Sequence, residues 1–539
     1  MHHRRFRPRL IGGAVLLLTL LASVPASAQI GRWRPEERTL ITDVSSVSSL
    51  ARGNAELYIA SRGGLVIYND AQGYFRQPVT VVDGYPPEGA TAMAYDDRSA
   101  MLWIAGVKEM YRFDPFAGRF IQSFRLPAPV SSIVPGSFGD SDLFIRTNRG
   151  WLRFATFSGR TSPASASDVQ AAIERNPDLR RRAELLRDTG FGVLAGFLGQ
   201  TPDGRRFAVT DVMPAWEGSL FWVATAGNFV VEYDAVTRRW QPLAYGFLGQ
   251  GVGATAVTPE GIWFGPLARE KGRFGVSVGD PSLQHWQLWD AFDARTAPGG
   301  GVRAMLAQGD VVWAGGVTGL HAYQAELGAW RPVATGAGGA STEVMSLAHA
   351  SDGGVWAGTR RGAVRLSSAA VAVGDRVLAQ ERIFALAETT GWLWLGTARG
   401  LYRYELASGR LVPPKEESMT LTQPVAAMAT RGDTLFAGIG REVWIFPPGE
   451  NGLRFDLIAP GPSPITALAT GANEVWVGSQ DGILRWSSAD NELNRLSFSA
   501  GDIPSRPGIR DAVLHILPIG PREVWASLPA GALRISAIF

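Results

Sequence analysis

Basic side chains recur at one place in this sequence, five residues after an aromatic residue or, in the first case, four. A cation there can bind the carboxylates of an acidic sugar or of a carboxylate-bearing surface, and arginine does so with two parallel hydrogen bonds. The alternative is that exposed turns simply favour long polar side chains. Some copies of the pattern carry no base, so the set is incomplete. The six candidate binding residues are Arg62, Lys108, Arg149, Arg361, Arg399 and Arg441.

These cations belong to a repeated motif, which reads WLGTARGLYRY from Trp394, WAGTRRGAVRL from Trp356 and WVGSQDGILRW from Trp476. Apolar residues alternate on both sides of a Thr-x-x-Gly step, which indicates two strands joined by a tight turn. Successive copies are separated by 45, 41, 78, 41, 50, 43, 38, 42, 40 and 49 residues, and a period near forty is typical of repeat folds. The eleven copies begin at Tyr58, Trp103, Phe144, Trp222, Trp263, Trp313, Trp356, Trp394, Phe436, Trp476 and Trp525.

One such repeat forms a small antiparallel sheet that cannot bury both of its faces alone. Radial stacking of these sheets produces a β-propeller, so we expect an all-β fold of about eleven four-stranded blades. The motif aromatics then pack between blades and do not form a carbohydrate platform. Because single rings usually hold four to eight blades, we expect two rings. One large ring, or one ring inserted into another, remains open as an alternative.

Two features of the chain suggest where its domains divide. The gap of 78 residues predicts a helical insertion over residues 160–205, with a capping box at Ser167 and Gln170 and a second helix start at Asn176-Pro177. The sequence TAPGGG over residues 296–301 predicts a linker. We therefore expect a first propeller over residues 29–297 with copies one to five, and a second over residues 298–539 with copies six to eleven.

The last copy lacks an outer strand, because the sequence ends 14 residues after Trp525. Near the other end, Trp33-Arg34-Pro35 is similar to Trp240-Gln-Pro and Trp330-Arg-Pro, which fit outer strands of other copies. We expect residues 31–37 to complete the last blade, since joining the first and last strands removes an open sheet edge.

Residues 1–28 have the pattern of an export signal: four arginines, an apolar run and the small-residue sequence Ala26-Ser27-Ala28. We expect cleavage after Ala28, a periplasmic or extracellular location, and no stable membrane span after the signal is removed. The formal charge changes from +3 to 3 − 4 = −1, because this segment holds four arginines and no acid. The charge therefore gives no reason to expect binding to nucleic acid.

Several kinds of chemistry are excluded or lack support in the sequence. The chain has no cysteine, which excludes disulfides, thiol nucleophiles and cysteine zinc sites. No carboxylate pair fits the separation that glycosidases need, and no Ser-His-Asp set emerges. We therefore expect no catalysis, no metal and no cofactor. The four histidines after the signal occupy different places in their repeats: His285, His321, His349 and His515.

The phrases LWLGTARGLYRYE, DGGVWAGTRRGAVRL and EVWVGSQDGILRW resemble the two-component regulator propeller repeat, and the resemblance covers almost all of the chain after the signal. It implies a β-propeller. In that family the repeats usually form periplasmic sensor domains that detect sugars or glycans, and others occur in stand-alone secreted proteins, including a type IX secretion component with two propellers. The sequence carries no kinase or DNA-binding segment, so we expect no signal transduction by this chain alone.

These observations favour an exported, non-catalytic β-propeller that binds a ligand or serves as a platform for protein interaction. A glycan and an envelope protein are the candidate partners. Two alternatives remain: an enzyme on polysaccharide, such as a lyase, or an envelope assembly or secretion factor. A convergent pocket with perturbed acids would favour the enzyme, and a broad apolar patch on one face would favour the assembly role.

Overall fold

The computed structural model describes residues 38–536, apart from 137–141, 189–190, 193–194, 197–203, 205, 217, 250, 268–274, 291–297, 337–341, 415–420, 449–455, 461–462, 489–491, 497–511 and 521–522. The predicted export signal, the predicted closing strand over residues 31–37 and part of the predicted linker lie outside the described residues.

The described chain folds into eleven sheets of four antiparallel strands, which confirms the predicted all-β propeller. Each sheet contains one copy of the motif, with the motif aromatic in its second strand. The first four sheets are formed by β2–β5 (Val47–Gly53, Glu56–Ser61, Leu65–Asn69, Tyr74–Phe75), β6–β9 (Ala92–Asp96, Met101–Ala105, Glu109–Asp114, Arg119–Arg125), β10–β13 (Val130–Pro135, Asp142–Thr147, Gly150–Ala155, Thr161–Pro163) and β14–β17 (Val209–Pro214, Leu220–Thr225, Val230–Asp234, Trp240–Leu243).

The next six sheets follow the same plan without a long insertion. They are formed by β18–β21 (Val252–Thr258, Gly261–Pro266, Gly275–Gly279, Trp286–Asp290), β22–β25 (Val302–Gln308, Val311–Gly316, Gly319–Gln324, Ala329–Val333), β26–β29 (Val344–His349, Val355–Thr359, Gly362–Leu366, Ala372–Val377), β30–β33 (Ala385–Thr389, Trp392–Thr397, Gly400–Glu405, Leu411–Val412), β34–β37 (Val425–Arg431, Thr434–Ile439, Glu442–Phe446, Asp456–Pro460) and β38–β41 (Ile465–Thr470, Glu474–Ser479, Gly482–Ser487, Glu492–Leu496).

The eleventh sheet joins the two ends of the described chain. Its strands are β42 (His515–Gly520), β43 (Glu523–Leu528), β44 (Gly531–Ser536) and β1 (Arg38–Ile41), which pairs antiparallel with β44. Leu40 of β1 lies opposite Leu533, and both side chains are buried. An N-terminal segment, Arg38–Ile41, thus completes the last sheet. The described closing strand begins at Arg38, directly after the predicted residues 31–37.

The motif aromatics pack against the next sheet in the chain, which confirms that they serve packing between blades. Trp313 shares a core cluster with Val355 and Ala357 of the following sheet. The same contact is made by Trp525 of the eleventh sheet, but its neighbours are Ile262 and Phe264 of the fifth. Sheets five to eleven therefore close into a ring of seven, which we call the second ring.

The first four sheets close in the same way around a pair of helices, α1 (Ala166–Arg175) and α2 (Pro177–Arg187). Trp222 of the fourth sheet packs with Leu57 of the first. Phe144 of the third sheet packs on α1, and Leu185 of α2 packs with Val223 of the fourth. The helix pair thus occupies the position of a blade between sheets three and four, and we call this group the first ring.

The grouping of the sheets differs from the predicted division between residues 297 and 298. That division separates the fifth sheet from the sixth, whereas Trp263 of the fifth sheet shares a core cluster with Val312 and Ala314 of the sixth. The Gly-rich sequence there connects two blades of one ring. We propose that the domain division precedes the fifth sheet, with the first ring inserted between β1 and β18.

The helical insertion lies where the sequence predicts it, and one of its two caps is shifted. Asn176 caps α2 as predicted, with its side-chain oxygen accepting from the N–H groups of Asp178 and Leu179 at 3.0 and 3.1 Å. The capping box of α1 was predicted two residues too late. It is formed by Ser165 and Asp168. The negative charge of Asp168 is stabilised there by the positive N-terminal end of the helix dipole. Among the described residues, no helix is long and apolar enough to cross a membrane.

Candidate functional site

The six candidate cations all lie in the turn between the second and third strands of a sheet, and all six are exposed. They divide between the two rings. Three stand on sheets one to three of the first ring and three on sheets seven to nine of the second ring. A single rim of six, as the repeat register alone suggests, therefore does not form. The second-ring cations, which lie on three consecutive sheets, are Arg361, Arg399 and Arg441.

The turns that present Arg361 and Arg399 are built by the motif threonine. The Thr359 hydroxyl donates to the Gly362 carbonyl at 2.8 Å and accepts from the Arg361 N–H at 3.0 Å. Thr397 makes the same two bonds around Arg399, at 2.9 and 3.0 Å. Gly362 has a φ of 80°, a conformation that glycine adopts most readily. The hydroxyl is thus occupied within the turn, and the arginine side chain is left at the surface.

Two of the second-ring cations have charged neighbours. Arg399 pairs with Glu381 at 2.8 Å, but its side chain remains 75 % exposed, so other donors of the guanidinium still face solvent. Arg376 donates to the Arg361 carbonyl at 2.7 Å. Burial, and then the nearby charge of Arg361, hold the pKa of Arg376 below its ordinary value. Two guanidinium groups therefore lie close together beside this turn.

A further cationic cluster lies on the same side of the second ring, around Glu343. One of its carboxylate oxygens lies 2.9 Å from Arg303, and the other lies 3.4 Å from Arg360. Two arginines against one glutamate leave a formal charge of +1. Sequence reasoning missed Arg303, because this residue lies on a first strand, outside the motif in which the other cations recur.

The second ring also contains a cavity of about 450 Å³, which we call the axial cavity. Residues from the first-strand segments of all seven sheets line it, as expected for the centre of a propeller. Leu267 and Val317, which follow the second strands of sheets five and six, line it as well. The cavity therefore lies toward the face that carries the second-ring cations.

In most sheets of the second ring, an irregularity of pairing places one residue near the start of the first strand toward this cavity. In five sheets the register with the second strand skips one residue, and each skipped residue lines the cavity. Such a bulge turns a side chain away from the regular alternation of the strand. Phe384 and Leu514, directly before the first strands of the other two sheets, also line it. The five skipped residues are Gly253, Arg303, Met345, Ala426 and Thr466.

The polar groups along the axial cavity are few. His515 lies with its Nδ1 atom 3.2 Å from the Thr255 hydroxyl, and burial lowers the pKa of His515 to about 4, so it is uncharged at neutral pH. No aspartate or glutamate is among the described residues that line the cavity. Within the described part of the chain, no group of three or more histidines and acids could hold a metal ion. The cavity thus lacks the convergent acids that would favour a glycosidase-like enzyme.

The axis of the first ring is filled instead by ion pairs to helix α2, around a space of only about 40 Å³. Arg52 pairs with Asp178 at 2.6 Å. The buried carboxylate of Asp211 pairs with Arg182 and accepts from the Leu50 N–H at 2.8 Å. These charged groups pair with one another, so their role is to hold helix α2 against the sheets.

Comparison with known proteins shows the fold alone. No protein-family model and no curated protein matches the chain. The structure of PorZ, a bacterial surface component of the type-IX secretion system of Porphyromonas gingivalis, is 10 % identical over 93 % of this chain and 87 % of that chain, with a TM-score of 0.51. The extracellular domain of a putative hybrid two-component system of B. thetaiotaomicron is 12 % identical over 89 % and 73 %, with a TM-score of 0.44. The likeness to PorZ indicates a shared fold.

Proposed function

We propose that this chain is an exported, non-catalytic β-propeller whose second ring binds an anionic partner through Arg361, Arg399 and Arg441. One observation carries the proposal: three exposed arginines occupy the same turn of three consecutive sheets. Repetition of the blade places them along one rim of the ring, so that a single extended ligand can contact all three. The signal-like segment over residues 1–28 supports export to the periplasm or cell exterior.

The physical argument favours a polymer with repeated acidic groups. An exposed charge contact contributes on the order of 1 kcal/mol or less, so one arginine alone gives little affinity. Three contacts to one chain add their contributions within a single binding event. An acidic glycan, with a carboxylate on successive sugars, offers such a ligand. Binding of this kind weakens with salt, because exposed charges are screened over about 8 Å at physiological ionic strength.

A capture experiment tests the proposal. The mature protein is passed over immobilised polygalacturonate and alginate, with neutral dextran as the reference surface. We expect the parent protein to bind the acidic glycans. Replacing Arg361, Arg399 and Arg441 together by Ser should lower the affinity at least tenfold, because three weak contacts are lost at once.

The first ring supplies the matched control for this experiment. Arg62, Lys108 and Arg149 occupy the same turns and are exposed as well. Replacing these three residues by Ser changes the net charge by the same amount. Equal losses in the two triple variants would contradict a site that is specific to the second ring. Unchanged binding in the second-ring variant would contradict the proposed site.

A second candidate function, docking to an envelope protein, is favoured by apolar tips on the first ring. Phe116 and Phe157 are 99 % and 95 % exposed, and Val236 is 79 % exposed. Each lies in the turn between the third and fourth strands, on sheets two, three and four. Replacing both phenylalanines by Ser should abolish co-purification with an envelope partner while leaving glycan capture unchanged. The reverse result would remove this candidate.

A further inference from the structure

We propose that the axial cavity of the second ring binds a small apolar carboxylic acid, with the hydrocarbon part inside the cavity and the carboxylate on Arg303. This site differs from the proposed glycan-binding rim in its residues and in the size of its ligand. The turn cations lie between the second and third strands, whereas Arg303 lies on a first strand and lines the cavity.

The size and the wall of the cavity suit a small apolar molecule. Its volume of about 450 Å³ falls within the range of small-molecule sites. Three of the nine methionines of the chain line it, Met305, Met345 and Met428. Phe384 and Leu468 add to the apolar wall. Methionine side chains are flexible and polarisable, so they can adapt to an alkyl chain or to an aromatic ring.

The first ring shows a different arrangement at the corresponding residues of its first strands. The skipped residues there are Ser48, Ser131 and Thr210, and their hydroxyls donate to backbone carbonyls at 3.2, 3.4 and 2.8 Å. Small hydroxylated residues thus hydrogen-bond to the backbone of the sheets at this position.

In the second ring one skipped residue keeps that role: the Thr466 hydroxyl donates to the Val513 carbonyl at 2.6 Å. Met345 occupies the same position in its sheet, and Phe384 and Leu514 occupy the corresponding position in theirs. An apolar ligand that covers these side chains removes their apolar surface from water, which favours binding. This difference between two rings of one chain supports a ligand in the second.

The charge at the cavity selects an anionic head group. Arg303 is the one charged side chain among the described residues that line the cavity, and its side chain is half exposed. Its ion pair with Glu343 uses part of its five donors, and Arg360 shares the same glutamate. A net charge of +1 therefore remains for a ligand. A planar carboxylate can take two parallel hydrogen bonds from the free side of the guanidinium.

Titration calorimetry with decanoate as the probe tests this inference. Decanol and decyltrimethylammonium have the same chain with no charge and with the opposite charge. We expect decanoate to bind the parent protein about fivefold more tightly than either, because its carboxylate can accept charge-assisted hydrogen bonds from the half-exposed Arg303. Arg303→Gln should remove this preference. Arg331 is an exposed arginine in the outer strand of the same sheet, so Arg331→Gln is the matched control and should keep the preference for decanoate.

A second variant tests the location of the hydrocarbon part. Ala426 is an exposed residue of the cavity wall, so a larger side chain there is compatible with folding, which thermal unfolding would verify. Ala426→Trp should abolish binding of both decanoate and decanol and leave polygalacturonate capture intact. The inference is overturned if decanoate does not bind at millimolar concentration, or if its affinity is equal in the parent, Arg303→Gln and Ala426→Trp. The triple turn variant should still bind decanoate, which separates this site from the proposed rim.

Discussion

The indole of Trp525 meets the ring of Phe264 edge to face, with centroids 5.5 Å apart and the ring planes at 70°. Trp525 lies in the second strand of the eleventh sheet and Phe264 in the second strand of the fifth, and both are fully buried. Aromatic pairs in this geometry contribute beyond the apolar area that they bury. This contact closes the second ring, and it defines the circle of seven sheets on which the proposed binding face depends.

Removal of this indole should therefore open the ring. We expect Trp525→Ala to lower the free energy of unfolding by about 3–5 kcal/mol, the usual cost of deleting a buried aromatic side chain. Trp240→Ala is the control, because this indole is 42 % exposed on an outer strand, and it should cost about 1 kcal/mol or less. Urea denaturation measures both values. Similar midpoints for the two variants would contradict closure at Trp525.

The pairing of β1 with β44 makes a second prediction about closure. Leu40 is 2 % exposed and lies in one core cluster with Leu533 and Ile535. Leu40→Asp places an unpaired carboxylate in that cluster, which should cost several kcal/mol and release the outer strand. An open sheet edge recruits other chains, so the variant should form aggregates that size-exclusion chromatography detects. The neighbouring Thr39→Lys, at a partly exposed position, should remain monomeric.

The blade plan was predictable because its cause is local. Alternation around a tight turn, with Thr-x-x-Gly in the clearest copies, specifies two strands within about a dozen residues, and the eleven copies repeat this alternation. The grouping of sheets was not predictable, because it depends on contacts between distant residues. Trp222 and Trp263 occupy the same position of the motif. Trp222 nevertheless packs with Leu57 of the first sheet, whereas Trp263 packs with Val312 of the sheet that follows it.

The candidate site shows the same limit. The motif places Arg361 and Arg399 in exposed turns, and the structure has them there. The position of Arg303 at the cavity was not predictable from the sequence, because it results from a bulge: Arg303 is the residue that the pairing register skips. No local pattern distinguishes this arginine from one on the solvent side of a strand.

The helix pair of the first ring should depend on one buried ion pair. Arg182 on α2 pairs with Asp211, whose side chain is 4 % exposed. Arg182→Met leaves that carboxylate without its cation, and we expect a loss of about 3–5 kcal/mol in the free energy of unfolding. Arg180→Met is the matched control, since Arg180 faces solvent and contacts Glu184 at 3.8 Å. That change should cost about 0.5 kcal/mol or less. Equal effects in denaturant unfolding would show that the ion pair does not fix the helix.

A buried histidine should make the protein sensitive to acid. His321 is 8 % exposed, and burial lowers its pKa to about 4 from an ordinary value of 6.5. Between these two values the unfolded chain binds more protons than the folded one, so stability falls as the pH falls from about 6.5 to about 4. His321→Leu should reduce the loss of unfolding free energy between pH 7.5 and pH 5 by on the order of 1–2 kcal/mol. Thermal unfolding at the two pH values measures it, and a loss equal to that of the parent would refute this assignment.

The central claim is that Arg361, Arg399 and Arg441 act together on one anionic ligand. The most direct measurement is the affinity for polygalacturonate in the parent, in the single, double and triple Ser variants, and at two salt concentrations. We predict stepwise losses of up to about fivefold per arginine and a weaker salt dependence with each step. Affinities that stay equal across the series, or a loss that follows from one arginine alone, would contradict the claim.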